Sequence, residues 1–176
     1  MNTIFLIMGE SGSGKDTIVN CLCKDHGLKK VLSYTTRPKR IENEHTHTFV
    51  TDAEFDQLKD RVAYTEFDGY KYAATADQVD ESDLYIIDPR GVKVFKARYR
   101  RGKRVKVIYV KTYMRDRFTR MMKRGDTVKQ AIQRLNHDRE AFSGAEMLAD
   151  FVVYNNDLDT CLDIIWKYIQ EETSKE

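Results

Sequence analysis

The feature that most constrains this chain is a glycine-rich turn between a short, mostly apolar run and a predicted helix. Residues 3–8 have the character of a buried strand, residues 17–24 carry apolar side chains at helical spacing, and the turn is Gly-Glu-Ser-Gly-Ser-Gly-Lys-Asp. Such glycines let successive backbone N–H groups converge on a phosphate, and the helix N-terminus adds positive potential. The pattern predicts a loop that binds the phosphates of a nucleoside triphosphate. Its expected contacts are Gly9, Glu10, Ser11, Gly12, Ser13, Gly14, Lys15, Asp16 and Thr17.

Asp16 departs from the usual form of this loop, in which a Ser or Thr hydroxyl faces a magnesium ion. A carboxylate is a hard oxygen ligand and can hold Mg²⁺ directly or through water. Thr17 follows at once, but on a helix it points about 100° away. Asp16 is therefore the candidate metal ligand, and the competing interpretation is an ordinary acidic residue in the first turn of a helix.

Strands and helices alternate along most of the chain. Further short apolar runs occupy residues 31–34, 84–87, 105–110 and 151–154, and the later ones are followed by helical patterns, the last over residues 158–169. This order predicts an α/β fold with a parallel sheet wrapped by helices. Residues 46–74 break the rhythm with a short helix over 52–59 and a hairpin signal at Asp68-Gly69. Residues 115–139 are helical and basic, with one break at Gly125-Asp126.

Length and charge narrow the possible classes of protein. The 176 residues fit one domain, and 30 Lys and Arg against 28 Asp and Glu leave a net charge of +2. No run is long enough to cross a bilayer and the first residues lack a secretory pattern, so we expect a cytoplasmic protein with no membrane partner. The near-neutral total argues against nucleic-acid binding. Eight basic residues between Lys93 and Lys106 fit a solvated connection better than a nucleic-acid surface.

A second phosphate signal follows the run at residues 31–34. Residues 33–40 are Ser-Tyr-Thr-Thr-Arg-Pro-Lys-Arg, and an arginine fork suits a phosphate because it gives two parallel hydrogen bonds. With the phosphate loop and the hairpin region, this segment resembles the guanylate kinase family of nucleoside monophosphate (NMP) kinases. The resemblance spans nearly the whole chain. It also includes Gly69–Tyr72, Ile87–Val92, Arg120-x3-Arg124-Gly125, Arg134 and Val153–Asp157.

The resemblance implies a P-loop NTPase-type parallel sheet with a small inserted antiparallel NMP-binding lobe and a helical lid. It divides a single domain, residues 1–176, into a core of about 1–35, 76–112 and 141–176, a lobe of about 36–75 and a lid of about 113–140. The implied reaction is ATP-dependent phosphorylation of a nucleoside monophosphate to the diphosphate, with Mg²⁺ as cofactor. GMP or dGMP is the expected acceptor.

The same resemblance assigns roles to individual residues. Arg37, Arg40 and Tyr72 match residues that grip the acceptor phosphate, and Asp88 matches an acid near the acceptor base and the water shell of the metal. The implied catalytic residues are Lys15, Arg37 and the lid arginines Arg120, Arg124 and Arg134. Asn155 and Asn156 match the stretch beside the donor adenine. The expected acceptor site is Ser33, Arg37, Arg40, His47, Glu66, Tyr72 and Asp88.

Three acceptor positions depart from the family pattern. Ala63 stands where the family has the Glu that pairs with guanine, Ala74 where it has a small hydroxyl residue, and His47 where it has a phosphate-binding Tyr. Glu66 is the nearest replacement carboxylate, although strand alternation puts it on the face opposite Ala63. A kinase for another (deoxy)nucleoside monophosphate or a ribose phosphate, and a non-catalytic binding module, are therefore the alternatives. Lys15 and the paired arginines argue against the module. The oligomeric state is left open.

Overall fold

The computed structural model describes residues 1–39, 41–67 and 69–175. Its strands and helices alternate through most of the chain, as expected for an α/β protein. A short 3₁₀ helix occupies Ala145–Leu148. In chain order the elements are β1 (Thr3–Met8), α1 (Lys15–His26), β2 (Tyr34–Thr35), β3 (Thr48–Phe49), α2 (Asp52–Asp56), β4 (Arg61–Phe67), β5 (Tyr70–Thr75), α3 (Ala76–Asp80), β6 (Leu84–Ile86), α4 (Pro89–Arg98), β7 (Arg104–Lys111), α5 (Met114–Lys123), α6 (Val128–Ala141), β8 (Phe151–Tyr154) and α7 (Leu158–Thr173).

The central sheet has the order β6-β1-β7-β8, and each neighbouring pair is parallel. All six residues of β1 are buried, as expected for a parallel strand that is covered by helices on both faces. Phe5 and Ile7 pack on one face with α1 and α7, whereas Leu6 and Met8 pack on the other with α4. The predicted parallel sheet wrapped by helices is confirmed. It brings the phosphate loop to the carboxyl end of β1, its central strand.

A second, mixed sheet has the order β3-β2-β5-β4. Strands β4 and β5 form the predicted hairpin, and Gly69 between them has φ of 77°. Asp68 lies outside the described residues. Strand β2 pairs antiparallel with β5 and parallel with β3. The hairpin puts Ala63 directly opposite Ala74, and both side chains are buried.

The strand predicted at residues 31–34 is wrong as a member of the parallel sheet. Lys30 makes only an isolated bridge to Leu84, and Tyr34–Thr35 instead pairs with β5 and β3 in the second sheet. A four-residue apolar run carries no information about its pairing partner, which explains the error. The helix predicted over residues 52–59 is shorter than expected, because α2 ends at Asp56.

The helical region after β7 is divided where the sequence predicts. Helix α5 ends at Lys123, Gly125 has φ of 98°, and α6 begins after Thr127. Thr127 and Gln130 form a capping box, in which each side chain accepts a hydrogen bond from the other residue's backbone N–H. Helices α5 and α6 pack against each other. Among the described residues, no helix combines the length and apolarity needed to span a bilayer.

Candidate functional site

The phosphate loop connects β1 to α1 and depends on two glycines with left-handed backbone. Gly12 has φ of 77°, and a Cβ there would lie 2.7 Å from the carbonyl oxygen of Arg117. Gly14 has φ of 87°, and a Cβ there would lie 2.4 Å from Nδ2 of Asn155. Any side chain at either position would clash with the surrounding structure and strain the backbone. The loop therefore follows a path that only glycine permits, tight against α5 and the segment after β8.

Two side chains hold this loop through the carbonyl of Ser13. It accepts hydrogen bonds from Nδ2 of Asn155 at 2.8 Å and from Nη1 of Arg120 at 3.2 Å. Arg120 Nη2 also donates to the carbonyl of Asn155 at 2.7 Å. Asn155 is only 2% exposed, and its side chain supports the loop. Asn156 is exposed.

Ser11 is held by a buried ion pair that links α5 to α6. Oδ2 of Asp138 accepts from the Ser11 N–H at 2.8 Å, and Nε of Arg117 donates to the Ser11 carbonyl at 2.9 Å. Arg117 Nη2 and Asp138 Oδ2 are 2.6 Å apart, and Arg117 Nη1 lies 3.2 Å from Oε1 of Glu10. Both partners of the pair are nine-tenths or more buried. The pair therefore holds both the N–H and the carbonyl of Ser11.

Sequence reasoning missed this ion pair, although a local signal existed for each partner. Arg117 lies four residues before the buried Met121 on α5, and Asp138 lies seven residues after the buried Ala131 on α6. Both spacings put a charged residue on the buried face of its helix. The signal was not used because this region was interpreted as a basic helical lid, in which only the arginines that match the family pattern were given roles.

Lys15 and Asp16 begin α1 at the front of the loop. Their side chains lie 3.5 Å apart, between Nζ and Oδ2, and the Asp16 carboxylate is 74% exposed. Thr17 is also exposed. The described residues contain no cluster of three or more His, Cys, Asp or Glu side chains able to hold a metal ion. Mg²⁺ is usually bound by one or two carboxylates together with waters and substrate phosphates, so a single exposed carboxylate beside the loop fits that ion.

A pocket of about 130 Å³ lies between the two sheets. Four of the predicted acceptor residues line it: Ser33, His47, Tyr72 and Asp88. Glu66 is not brought into this pocket, because it is exposed and accepts a hydrogen bond from the Tyr64 hydroxyl. Arg40 lies outside the described residues. Ala63, Thr65 and Tyr85 also line the pocket, and the last two were missed because both lie within strand patterns interpreted as structural.

Arg37 stands beside this pocket and is fixed by a carboxylate. Its Nη2 and Nη1 atoms donate to the two oxygens of Glu44 at 2.7 and 3.3 Å, and its guanidinium lies 5.3 Å from the centre of the Phe49 ring. The hydrogen bond to Glu44 is the chief cause that raises the pKa of Arg37, and the Tyr72 hydroxyl contributes. The arginine therefore stays charged, with its fork held in one orientation.

His47 joins the same cluster in its neutral form. Burial lowers the pKa of His47, and the positive charge of Arg37 lowers it further. Its Nδ1 is 3.1 Å from Oγ of Ser33, and its ring lies 5.6 Å from the ring of Tyr72. The negative charge of Asp16 acts on the same imidazole. A charge at the start of α1 thus acts on a residue that lines the acceptor pocket.

The three predicted lid arginines are divided between two places. Arg120 contacts the phosphate loop, as described above. Arg124 donates through Nε and Nη2 to Oδ2 of Asp126, and Nε of Arg134 lies 3.8 Å from Oδ1 of the same residue. Arg124 and Arg134 are 54% and 44% exposed. Asp126 therefore forms ion pairs with both Arg124 and Arg134 at the turn between α5 and α6.

Sequence similarity to known proteins extends over almost the whole chain. The guanylate kinase family model matches residues 1–172. The guanylate kinase of Bartonella henselae is 26% identical over 98% of this chain and 82% of its own length. The guanylate kinase of Neisseria gonorrhoeae is 31% identical over 89% of this chain and 81% of its own length.

Solved structures agree in fold. The crystal structure of guanylate kinase from Anaplasma phagocytophilum matches with a TM-score of 0.67 and 21% identity, over 97% of this chain and 86% of that chain. An uncharacterized protein from Eubacterium ventriosum matches with a TM-score of 0.53 and 16% identity, over 96% of this chain and 98% of that chain. The sequence match over residues 1–172 and the shared fold lead to one conclusion: this chain belongs to the guanylate kinase family.

Proposed function

We propose that this chain transfers the γ-phosphoryl group of ATP to a nucleoside monophosphate, with GMP or dGMP as the acceptor. The observation that carries this proposal is the arrangement of two phosphate-binding features on one cleft. The phosphate loop follows β1, and Asp88, which lines the acceptor pocket, follows β6, the parallel neighbour of β1, so the two lie at the same edge of the central sheet. The names of the relatives, guanylate kinases, support the same reaction.

The residues on the cleft suit phosphoryl transfer without a general base. In the loose transition state of this reaction, the protein mainly positions the reactants and neutralises charge. Lys15 and the loop N–H groups would hold the donor phosphates. Arg37, already oriented by Glu44, would hold the acceptor phosphate together with Tyr72, Arg40 and His47. Mg²⁺ held by Asp16 would supply further positive charge at the transferred group.

Closure of the cleft completes the proposed reaction. We assign residues of about 113–140 to a lid and about 36–75 to an acceptor lobe, both moving against a core of about 1–35, 76–112 and 141–176. The exposed Arg124 and Arg134 would exchange Asp126 for donor phosphates when the lid closes, and closure would exclude water from the reaction. Arg120 would act as a positioning residue through the loop carbonyl that it contacts.

The proposed partners are ATP and the acceptor, with no nucleic acid, and the proposed location is the cytoplasm. The basic run between Lys93 and Lys106 supports the exclusion of nucleic acid, because several of its charges already have acidic partners. Arg101 forms ion pairs with Asp60, Asp77 and Asp80, and Lys106 with Glu172.

A panel of acceptors tests the proposed reaction. Coupled measurement of ADP formation with GMP, dGMP, AMP, CMP, dTMP and ribose 5-phosphate should give the highest kcat/KM for GMP or dGMP. Highest turnover with another base would keep the kinase class and reject the guanine acceptor. No turnover with any acceptor, together with no ATP binding by calorimetry, would contradict the proposal and favour a non-catalytic module.

Asp16→Asn tests the proposed magnesium ligand. Removing the carboxylate charge should raise the Mg²⁺ concentration needed for half-maximal activity by about tenfold, as other losses around bound metals do. Calorimetric titration of Mg²⁺ into the ATP-bound protein should show the same weakening. Asp25→Asn, an exposed carboxylate near the far end of α1, is the matched control and should change neither quantity. An unchanged Mg²⁺ requirement in Asp16→Asn would favour the interpretation as an ordinary acid of the first helical turn.

A further inference from the structure

Tyr85 is a phenol in the wall of the acceptor pocket, on β6 of the central sheet. It is 6% exposed and lines the same pocket as Asp88. Its ring packs with Phe95 of α4, the ring centres being 6.2 Å apart, so the side chain is held in place from behind. The sequence around it, Leu-Tyr-Ile-Ile-Asp, is typical of a buried strand and gives the hydroxyl no assigned role.

Among the described residues, the Tyr85 hydroxyl forms no hydrogen bond, and its oxygen is not one of the fully enclosed unpaired atoms, so it is accessible from the pocket. Other tyrosines of the chain bond a carboxylate: Tyr99 donates to Asp80 at 2.6 Å, and Tyr64 donates to Glu66. The hydroxyls of largely buried tyrosines usually find a partner. The partner of Tyr85 is therefore to be sought in whatever fills the pocket.

At Ala63 the pocket offers the acceptor base no polar group. This residue, which faces Ala74 across the hairpin, presents only a methyl group. Ser33, His47 and Tyr72 stand at the end beside Arg37, which suits the acceptor phosphate. The polar side chains that remain in the lining and do not bond another side chain are Thr65, Tyr85 and Asp88.

We propose that Tyr85 takes part in recognition of the acceptor base, donating a hydrogen bond to the O6 oxygen of a 6-oxopurine while Asp88 accepts from the neighbouring N1–H. This inference rests on the proposed kinase function. A phenol and a carboxylate in one pocket match the adjacent C=O and N–H of guanine. With adenine the phenol would have to accept from the amino group, and the carboxylate would face a nitrogen that carries no proton.

The electrostatics of the pocket agree with a phenol that donates. Burial raises the pKa of Tyr85, and the negative charge of Asp88 raises it further, so the hydroxyl keeps its proton at neutral pH. Asp88 itself is oriented by α4, because its Oδ1 accepts from the backbone N–H of Gly91. Both groups are thus fixed before a ligand arrives, which favours discrimination between bases.

Tyr85→Phe, assayed with GMP and with 2-aminopurine ribonucleoside 5′-monophosphate, tests the inference. The analogue keeps the amino group of guanine and lacks both O6 and the N1–H, whereas Tyr85→Phe removes only the proposed donor to O6. The variant should lose about tenfold in kcat/KM for GMP, the usual value of one hydrogen bond in a dry site, and nothing for the analogue. The ratio between the two acceptors should therefore fall about tenfold. IMP, which has O6, should follow GMP.

Tyr99→Phe is the matched control, because it removes a buried phenol hydroxyl that bonds Asp80 away from the pocket. It should leave the ratio between GMP and the analogue unchanged. Equal losses for both acceptors in Tyr85→Phe, or an unchanged ratio, would overturn the inference while the proposed function stands. A wild-type protein that phosphorylates neither GMP nor dGMP would overturn the proposed function and this inference with it. Calorimetric GMP titration of folded Tyr85→Phe should show the same weakening as the kinetic ratio.

Discussion

Replacing Lys15 by methionine should lower kcat for phosphoryl transfer by about 100- to 1,000-fold, the usual loss when one charge-stabilising donor is removed from an active site. Lys15 begins α1 at the end of the phosphate loop, where its Nζ lies 3.5 Å from the Asp16 carboxylate. Methionine keeps an unbranched side chain, one atom shorter, and removes the charge and the donors. The loss should appear in kcat with saturating ATP and GMP, while the KM for GMP changes little.

Lys24→Met is the matched control for this prediction, since Lys24 lies in the last turn of the same helix and away from the loop. It should leave kcat at the wild-type value. A loss of less than about tenfold in Lys15→Met would mean that Lys15 contributes little to the transition state, and would overturn its assignment as a catalytic residue. Circular dichroism of both variants separates loss of activity from loss of fold.

Replacing Asp138 by alanine should lower the free energy of unfolding by about 3 kcal/mol, because it leaves a buried arginine without its closest counter-charge. Arg117 would keep only Glu10 at 3.2 Å, and the Ser11 N–H would lose the carboxylate that accepts from it. Urea unfolding followed by circular dichroism measures the change. The midpoint should fall while the slope stays constant.

Asp116→Ala is the control for an ordinary surface pair. Asp116 lies 3.4 Å from the exposed Arg115 on the same helix, and its removal should cost less than about 1 kcal/mol. The double variant Arg117→Leu/Asp138→Ala should recover part of the stability lost in Asp138→Ala, because it removes the stranded charge. An Asp138→Ala midpoint no lower than that of Asp116→Ala would show that the buried pair does not hold α6 to the loop.

The parts of the fold that depend on neighbouring residues could be predicted from the sequence. The loop at residues 9–16 could be found because strand, glycines, lysine and helix follow one another directly, and the break at Gly125-Asp126 because it interrupts a helical pattern. The pairing of Tyr34–Thr35 with the second sheet could not, because a two-residue strand carries no periodicity.

The site was harder to predict where its contacts join distant parts of the chain. Asp138 meets Ser11 across 127 positions, and no local pattern relates them. The hydrogen bond from the Asn155 side chain to the Ser13 carbonyl spans 142 positions and could not be read from the sequence either. Tyr85 was overlooked for the opposite reason: an aromatic residue in an apolar strand is ordinarily core, and only the pocket beside it gives its hydroxyl a use.

The attachment of Ser11 to Asp138 has a thermodynamic consequence. One carboxylate of α6 holds the N–H of a residue in the proposed phosphate loop. If a bound triphosphate favours one position of α6, that position favours the triphosphate by the same coupling free energy. A substitution that moves α6 is therefore expected to change triphosphate affinity as well.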